Sequence, residues 1–144
     1  MSRSLLALAA ALSLACAACA SSDDAAPDAS APERCTSVDP ACEPTYEPSY
    51  DAIFTRVLQP TCGKSGVSCH STRGRQGALS FEDADVAYDE LLASAVRPGN
   101  AACSELVVRL ESTDSAERMP PPAAIPAEDR CAIVRWIQAG APRR

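Results

Sequence analysis

Apolar residues recur at helical spacing in four stretches between positions 49 and 140, and none alternates as a half-buried strand requires. Ser49 is a good N-cap. Ile53, Phe54, Val57 and Leu58 follow on one face until Pro60, which predicts a helix ending just before Cys62. Residues 63–77 are rich in Gly, Ser and Arg and read as loop. Residues 82–95 form the next predicted helix, with Tyr88, Leu91, Leu92 and Ala95 on one face, and Arg97-Pro98-Gly99 makes a turn. Cys103, Leu106, Val107 and Leu110 give an i, i+3, i+4, i+7 stripe. Residues 112–126 are loop, polar at first and proline-rich around Met119. The last helix covers 127–139. Glu128 and Asp129 in its first turn suit the helix dipole, Ile133, Trp136 and Ile137 are its buried stripe, and Gly140 suits the position past its end. The expected fold class is all-α: a small four-helix domain with long loops over residues 49–144.

The chain ahead of that domain is of a different kind. Arg3 precedes an uncharged Leu/Ala stretch from Leu5 to Leu14, shorter than the roughly 20 apolar residues a bilayer span needs, so residues 1–19 read as an export signal. The stretch ends in Leu12-Ser13-Leu14-Ala15-Cys16, with Cys19 close behind, which resembles a lipoprotein processing site. Cys16 fits the acylated position better than Cys19; the alternative is a plain secretory peptide with incidental cysteines. Residues 20–34 hold no large apolar side chain, so 20–48 is expected to be a disordered Ser/Asp/Ala/Pro tether carrying a Cys35–Cys42 disulfide loop. The expected location is the cell envelope, lipid-anchored and facing the periplasm or the exterior.

Export places the cysteines in an oxidising compartment. Leaving aside Cys16 and Cys19, six of the eight remain: Cys35, Cys42, Cys62, Cys69, Cys103 and Cys131. Six allow 15 pairings, which sequence alone does not resolve. Cys103 with Cys131 would staple two helices, contributing roughly 3 to 4 kcal/mol. A net charge of −6 argues against nucleic acid and anionic lipid as partners, and hints at most at a basic protein partner. Only 4% of residues are aromatic, so core volume must come from aliphatic residues and alanine or from a bulky cofactor.

The chemistry concentrates at two places. The single histidine, His70, directly follows Cys69, with Cys62 upstream, and Met119 is the only methionine besides the initiator. Two thiols that can bond haem vinyl groups, an imidazole for one face of the iron and a thioether for the other are the parts of a c-type haem site. The usual motif is C-x-x-C-H, whereas six residues separate the cysteines here. Three outcomes are open. Gly63 and Gly66 could let the extra residues loop out so that both thiols bond the haem; Cys69 alone could bond it; or Cys62 and Cys69 could form a disulfide with no haem. Arg73, Arg75, Arg97 and Arg118 are candidates for pairing haem propionates, and Trp136 is expected in the core. No second histidine, Ser/His/Asp set or zinc-type ligand cluster supports an enzyme.

From Tyr50 onward the order of these pieces resembles the short cytochrome c-like domains of bacterial surface lipoproteins. The matching elements are the apolar helix before the first cysteine, Cys69-His70 in a loop, Gly77-Ala78-Leu79-Ser80-Phe81, Arg97-Pro98-Gly99 before Ser104-Glu105-Leu106, Met119-Pro120-Pro121, and Trp136-Ile137-Gln138-Ala139-Gly140-Ala141. The resemblance implies haem c, with His70 and Met119 as axial ligands and Cys62 and Cys69 as thioether donors. It implies a membrane-anchored, monohaem electron-transfer domain with a redox partner and no catalytic activity. The C-x6-C-H spacing departs from the family pattern. It leaves a haem-free, disulfide-stabilised lipoprotein domain, acting as a structural or binding module, as the alternative.

Overall fold

A computed structural model describes residues 34–63 and 69–144. Among the described residues there are four α-helices, a short 3-10 turn at Gln76–Ala78 and no strand. The all-α expectation holds.

Helix α1 (Tyr50–Ile53) starts where the Ser49 hydroxyl accepts a hydrogen bond from Ala52 N, and it continues without a break as wider, π-type turns over Phe54–Gly63. Pro60 lies inside this continuation rather than ending it. In a regular α-helix its ring would clash with the carbonyl four residues back, and the wider turns carry the chain past that obstacle to Cys62. Helix α2 (Ala84–Glu90) is capped by Asp83, which accepts from Asp85 N and Val86 N, and it too widens at its end, over Leu91–Ala95. Helices α3 (Glu105–Glu111) and α4 (Ala127–Gln138) complete the set.

The apolar stripes meet as the periodicity predicts. Helix α4 packs against α1 and α3, and α3 also packs against the end of the α2 segment. Ile53, Leu58, Leu91, Val107, Ile133, Trp136 and Ile137 are fully buried, each such side chain contributing roughly 1.5–3 kcal/mol relative to exposure. The C-terminal residues close one side of this core. Tyr88 donates to Ala141 O at 2.9 Å, Trp136 Nε1 donates to Pro142 O at 2.8 Å, and the Arg143 guanidinium lies 4.7 Å from the Tyr50 ring centre.

Two expectations need correction. Cys35 pairs with Cys103 and Cys42 with Cys131, at Cα–Cα separations of 4.1 and 5.9 Å, instead of Cys35 with Cys42 and Cys103 with Cys131. The physical reason lies in the segment before α1. It runs along α3 and α4, with Thr36 N donating to Ala102 O, Arg34 pairing with Glu105 and Glu117, and Arg135 donating to Pro40 O. Its course places Cys35 beside Cys103, just ahead of α3, and Cys42 beside Cys131 in α4, rather than beside one another. Residues 34–48 accordingly belong to the folded domain and are not tether; Val38 and Tyr46 pack on the core, and Tyr46 donates to Asp129 at 2.9 Å. The export signal, Cys16, Cys19 and residues 20–33 lie outside the described residues.

Candidate functional site

An apolar cavity of about 350 Å³ opens between the end of the α1 segment, α3, α4 and the loops that precede α2 and α4. Its volume is within the range of small-molecule sites, about 300–1,000 Å³. Val57, Leu58, Leu79, Phe81, Leu110 and Ile133 supply most of the apolar wall. Exposed Gln76, Gly77 and Ser94 also line it, and mark where it meets solvent.

Three of the four residues singled out for haem chemistry share this cavity. Cys62, His70 and Met119 all line it, although the last two are 49 positions apart in sequence. The loop after His70 is held by main-chain bonds from Gln76 N to Cys69 O and from Phe81 N to His70 O, both 2.8 Å. Met119 is fixed by its own N–H, which donates to Arg109 O at 3.0 Å, while Arg109 bonds Glu105 at 2.6 Å and Glu117 O at 3.3 Å. Cys62 is half-buried and packs on the core; Cys69 is exposed and is not part of the cavity wall. Both are free thiols, so the structure does not contain the Cys62–Cys69 disulfide. Burial pushes the Cys62 thiol up to about 11, with a smaller push from Cys69.

His70 Nδ1 is buried and has no hydrogen-bond partner. Burial lowers the pKa of the ring, the main chains of Gln76 and Leu79 pull the other way, and the ring leans on Phe81 at 5.3 Å between centres. A buried polar atom left unpaired costs about 1–3 kcal/mol, and such atoms are rare in native structures without a reason. An unpartnered imidazole nitrogen and a soft thioether on the wall of one apolar cavity are donors suited to a haem iron. The residues present fit that group. No cluster of three or more His, Cys, Asp or Glu side chains among the described residues offers a competing metal site.

Phe81, named from sequence only as the end of the Gly77–Phe81 step, has a structural part that the sequence did not reveal. Gly63 is buried so close to it that a Cβ there would lie 2.4 Å from Phe81 O. The same residue bonds His70 through its N–H. Phe81 therefore holds both ends of the widened C-x6-C-H segment, the end at Cys62-Gly63 and the end at Cys69-His70. Both contacts are to main chain, which leaves no side-chain signature beyond the two apolar positions Leu79 and Phe81.

The four candidate propionate arginines divide. Arg75 pairs with Glu90, while the Glu82 carboxylate is stabilised chiefly by hydrogen bonds from Thr72, with Arg73 adding a smaller pull. Arg97 N–H donates to Ser104 Oγ at 2.9 Å. Arg118 donates to Pro121 O at 3.1 Å and keeps a buried Nε without a partner, beside Met119. Trp136 is in the core as expected and does not reach the cavity wall.

Residues 67–123 match the family model described as planctomycete cytochrome C. The matched segment contains Cys69, His70 and Met119, and Cys62 falls ahead of it. No curated protein and no solved structure matches the chain. Over that segment, which runs from the His70 loop to just past Met119, the chain is similar to this cytochrome family.

Proposed function

We propose that this protein is a lipid-anchored, monohaem electron carrier, with haem c seated in the apolar cavity and ligated by His70 and Met119. One observation carries the proposal: the single histidine and the single non-initiator methionine, far apart in sequence, line the same cavity together with Cys62. A haem bound there would supply one-electron redox chemistry. The polypeptide's own part is to hold an imidazole and a thioether at fixed places, to exclude water with the Leu58, Phe81 and Ile133 side chains, and to offer a thiol for attachment. Methionine as a ligand favours a raised potential. The low aromatic content fits as well, since a bulky cofactor would contribute to the core volume that side chains leave unfilled.

The anchor is part of the proposal. The apolar stretch before Cys16 supports acylation at Cys16 or Cys19, and several hydrocarbon chains give the stable attachment that one chain does not. No helix among the described residues is long and apolar enough to cross a membrane. With a net charge of −6, a redox partner with a basic docking face is the favoured kind.

Expression of the full chain with a haem-attachment system tests the site. One haem per chain is expected, with a large loss of bound haem in His70→Ala. A folded protein that carries no haem under those conditions would leave the haem-free structural or binding module as the function. Replacing both Cys16 and Cys19 by Ser should release the protein from membranes or leave an uncleaved precursor; unchanged processing and fractionation would remove the anchor.

A further inference from the structure

We propose that the covalent bond to the cofactor is made by Cys62 alone, and that Cys69 stays a free thiol. The inference rests on the haem proposal above and narrows it. In a C-x-x-C-H segment one turn of chain presents both sulfurs and the imidazole to the same edge of a macrocycle. Here the two thiols are in different surroundings: Cys62 is half-buried in the cavity wall with His70 and Met119, whereas Cys69 is exposed and outside that wall.

The backbone explains the split. Gly63 is pressed against the Phe81 carbonyl, which fixes Cys62 at the end of its helical segment with the thiol among the core residues Val57 and Leu58. On the other side, Phe81 N holds His70 O, and Gln76 N holds Cys69 O. That second pair of bonds sets the direction of the chain at 69–70. It brings the imidazole of His70 to the cavity and leaves the preceding side chain in solvent, as adjacent residues in a turn commonly face apart. The widened spacing thus keeps a cysteine and the histidine at the cavity while moving the other cysteine off it.

The bond needs no outside oxidant or reductant. The Cys62 S–H adds across a vinyl C=C of the haem. An S–C bond forms, the vinyl π bond is lost, and the thiol proton ends on the neighbouring vinyl carbon.

Lys64 makes the test direct, because trypsin separates the two cysteines into the peptides 57–64 and 65–73. The full-length protein, produced with a haem-attachment system, is alkylated, digested and mapped by mass spectrometry. The proposal expects the haem adduct on peptide 57–64 and the alkyl group on peptide 65–73. Cys69→Ser should keep its covalent haem within about twofold of the parent, and Cys62→Ser should lose at least tenfold. An adduct on 65–73, alone or together with one on 57–64, overturns the proposal and leaves the haem proposal standing, and the parent map decides this even if either variant fails to fold. Haem that is bound but released on denaturation also overturns it while leaving His70 and Met119 as ligands. Absence of haem from the folded protein in any form removes both.

Discussion

Gly63→Ala tests the contact on which the geometry of the site depends. The added Cβ would lie 2.4 Å from Phe81 O and 2.8 Å from its carbonyl carbon. Both are main-chain atoms, so no side-chain rotation clears them, and Phe81 is itself tied to His70 by a 2.8 Å bond. Overpacking of this kind costs about 1–3 kcal/mol, and a clash against backbone belongs at the upper end. Alanine recovers up to about 1 kcal/mol of chain entropy relative to glycine in a helical segment. The net expectation is a loss of about 2 kcal/mol. At about 4 °C per kcal/mol for a domain of this size, the melting temperature should fall by about 8 °C. Thermal unfolding of the oxidised protein, followed by circular dichroism, measures it. Thr61→Ala serves as the control, since Thr61 is exposed and its loss should stay within about 0.5 kcal/mol. A Gly63→Ala protein that melts within about 2 °C of the parent would refute the close approach to Phe81, and with it the account of how the widened motif is closed.

Other expectations follow from separate parts of the molecule. A non-reduced tryptic digest should yield one three-peptide cluster in which 35–56 is joined to both 76–109 and 131–135; an internally bridged 35–56 would restore the local pairing and contradict the fold. Without haem, iodoacetamide should label exposed Cys69 well before Cys62. A thiol pushed up to about 11 holds only about one part in a thousand as thiolate at pH 8, so Cys62 labelling should rise about tenfold per pH unit until that value; equal rates at pH 8 would contradict its burial. Tyr50→Phe removes the 2.7 Å bond to Ala84 O and should cost about 1 kcal/mol in a denaturant melt, whereas an unchanged midpoint would mean that bond contributes nothing. Ile133→Ala, in a fully buried position that also lines the cavity, should cost about 2–5 kcal/mol; a cost under 1 kcal/mol would argue that α4 is not packed as described.

The helices were legible because each carries its own signal. Ser49 caps the first one as read, Val107 and Leu110 are buried with Leu106 packed partly against the core, and the stripe of Ile133, Trp136 and Ile137 is buried. What sequence could not show were outcomes of tertiary approach. Pro60 looked like a stop, yet the chain widens its turns and continues to Gly63, because packing of Val57 and Leu58 holds the segment in place. The composition of 34–48 suggested a tether, since nothing local reveals that Arg34, Cys35, Tyr46 and Cys42 each have a partner far along the chain. The pairing of cysteines failed for the same cause: proximity in sequence favours Cys35–Cys42, and the course of residues 34–48 along α3 and α4 overrides it. At the site, residue types sufficed to nominate Cys62, His70 and Met119. They did not suffice to separate the surroundings of Cys62 from those of Cys69, or to show that Phe81 meets both Gly63 and His70, because those depend on where main-chain atoms meet.

The central claim is that His70 and Met119 hold an iron between them, and the absorption spectrum of the full-length protein produced with a haem-attachment system tests it most directly. The account predicts a Soret band accompanied by the weak band of a methionine sulfur on ferric iron. In Met119→Ala the weak band should disappear and the midpoint potential should fall, while the Soret band persists. A folded protein with no Soret band, or one whose Met–iron band and potential survive the loss of Met119, would contradict it.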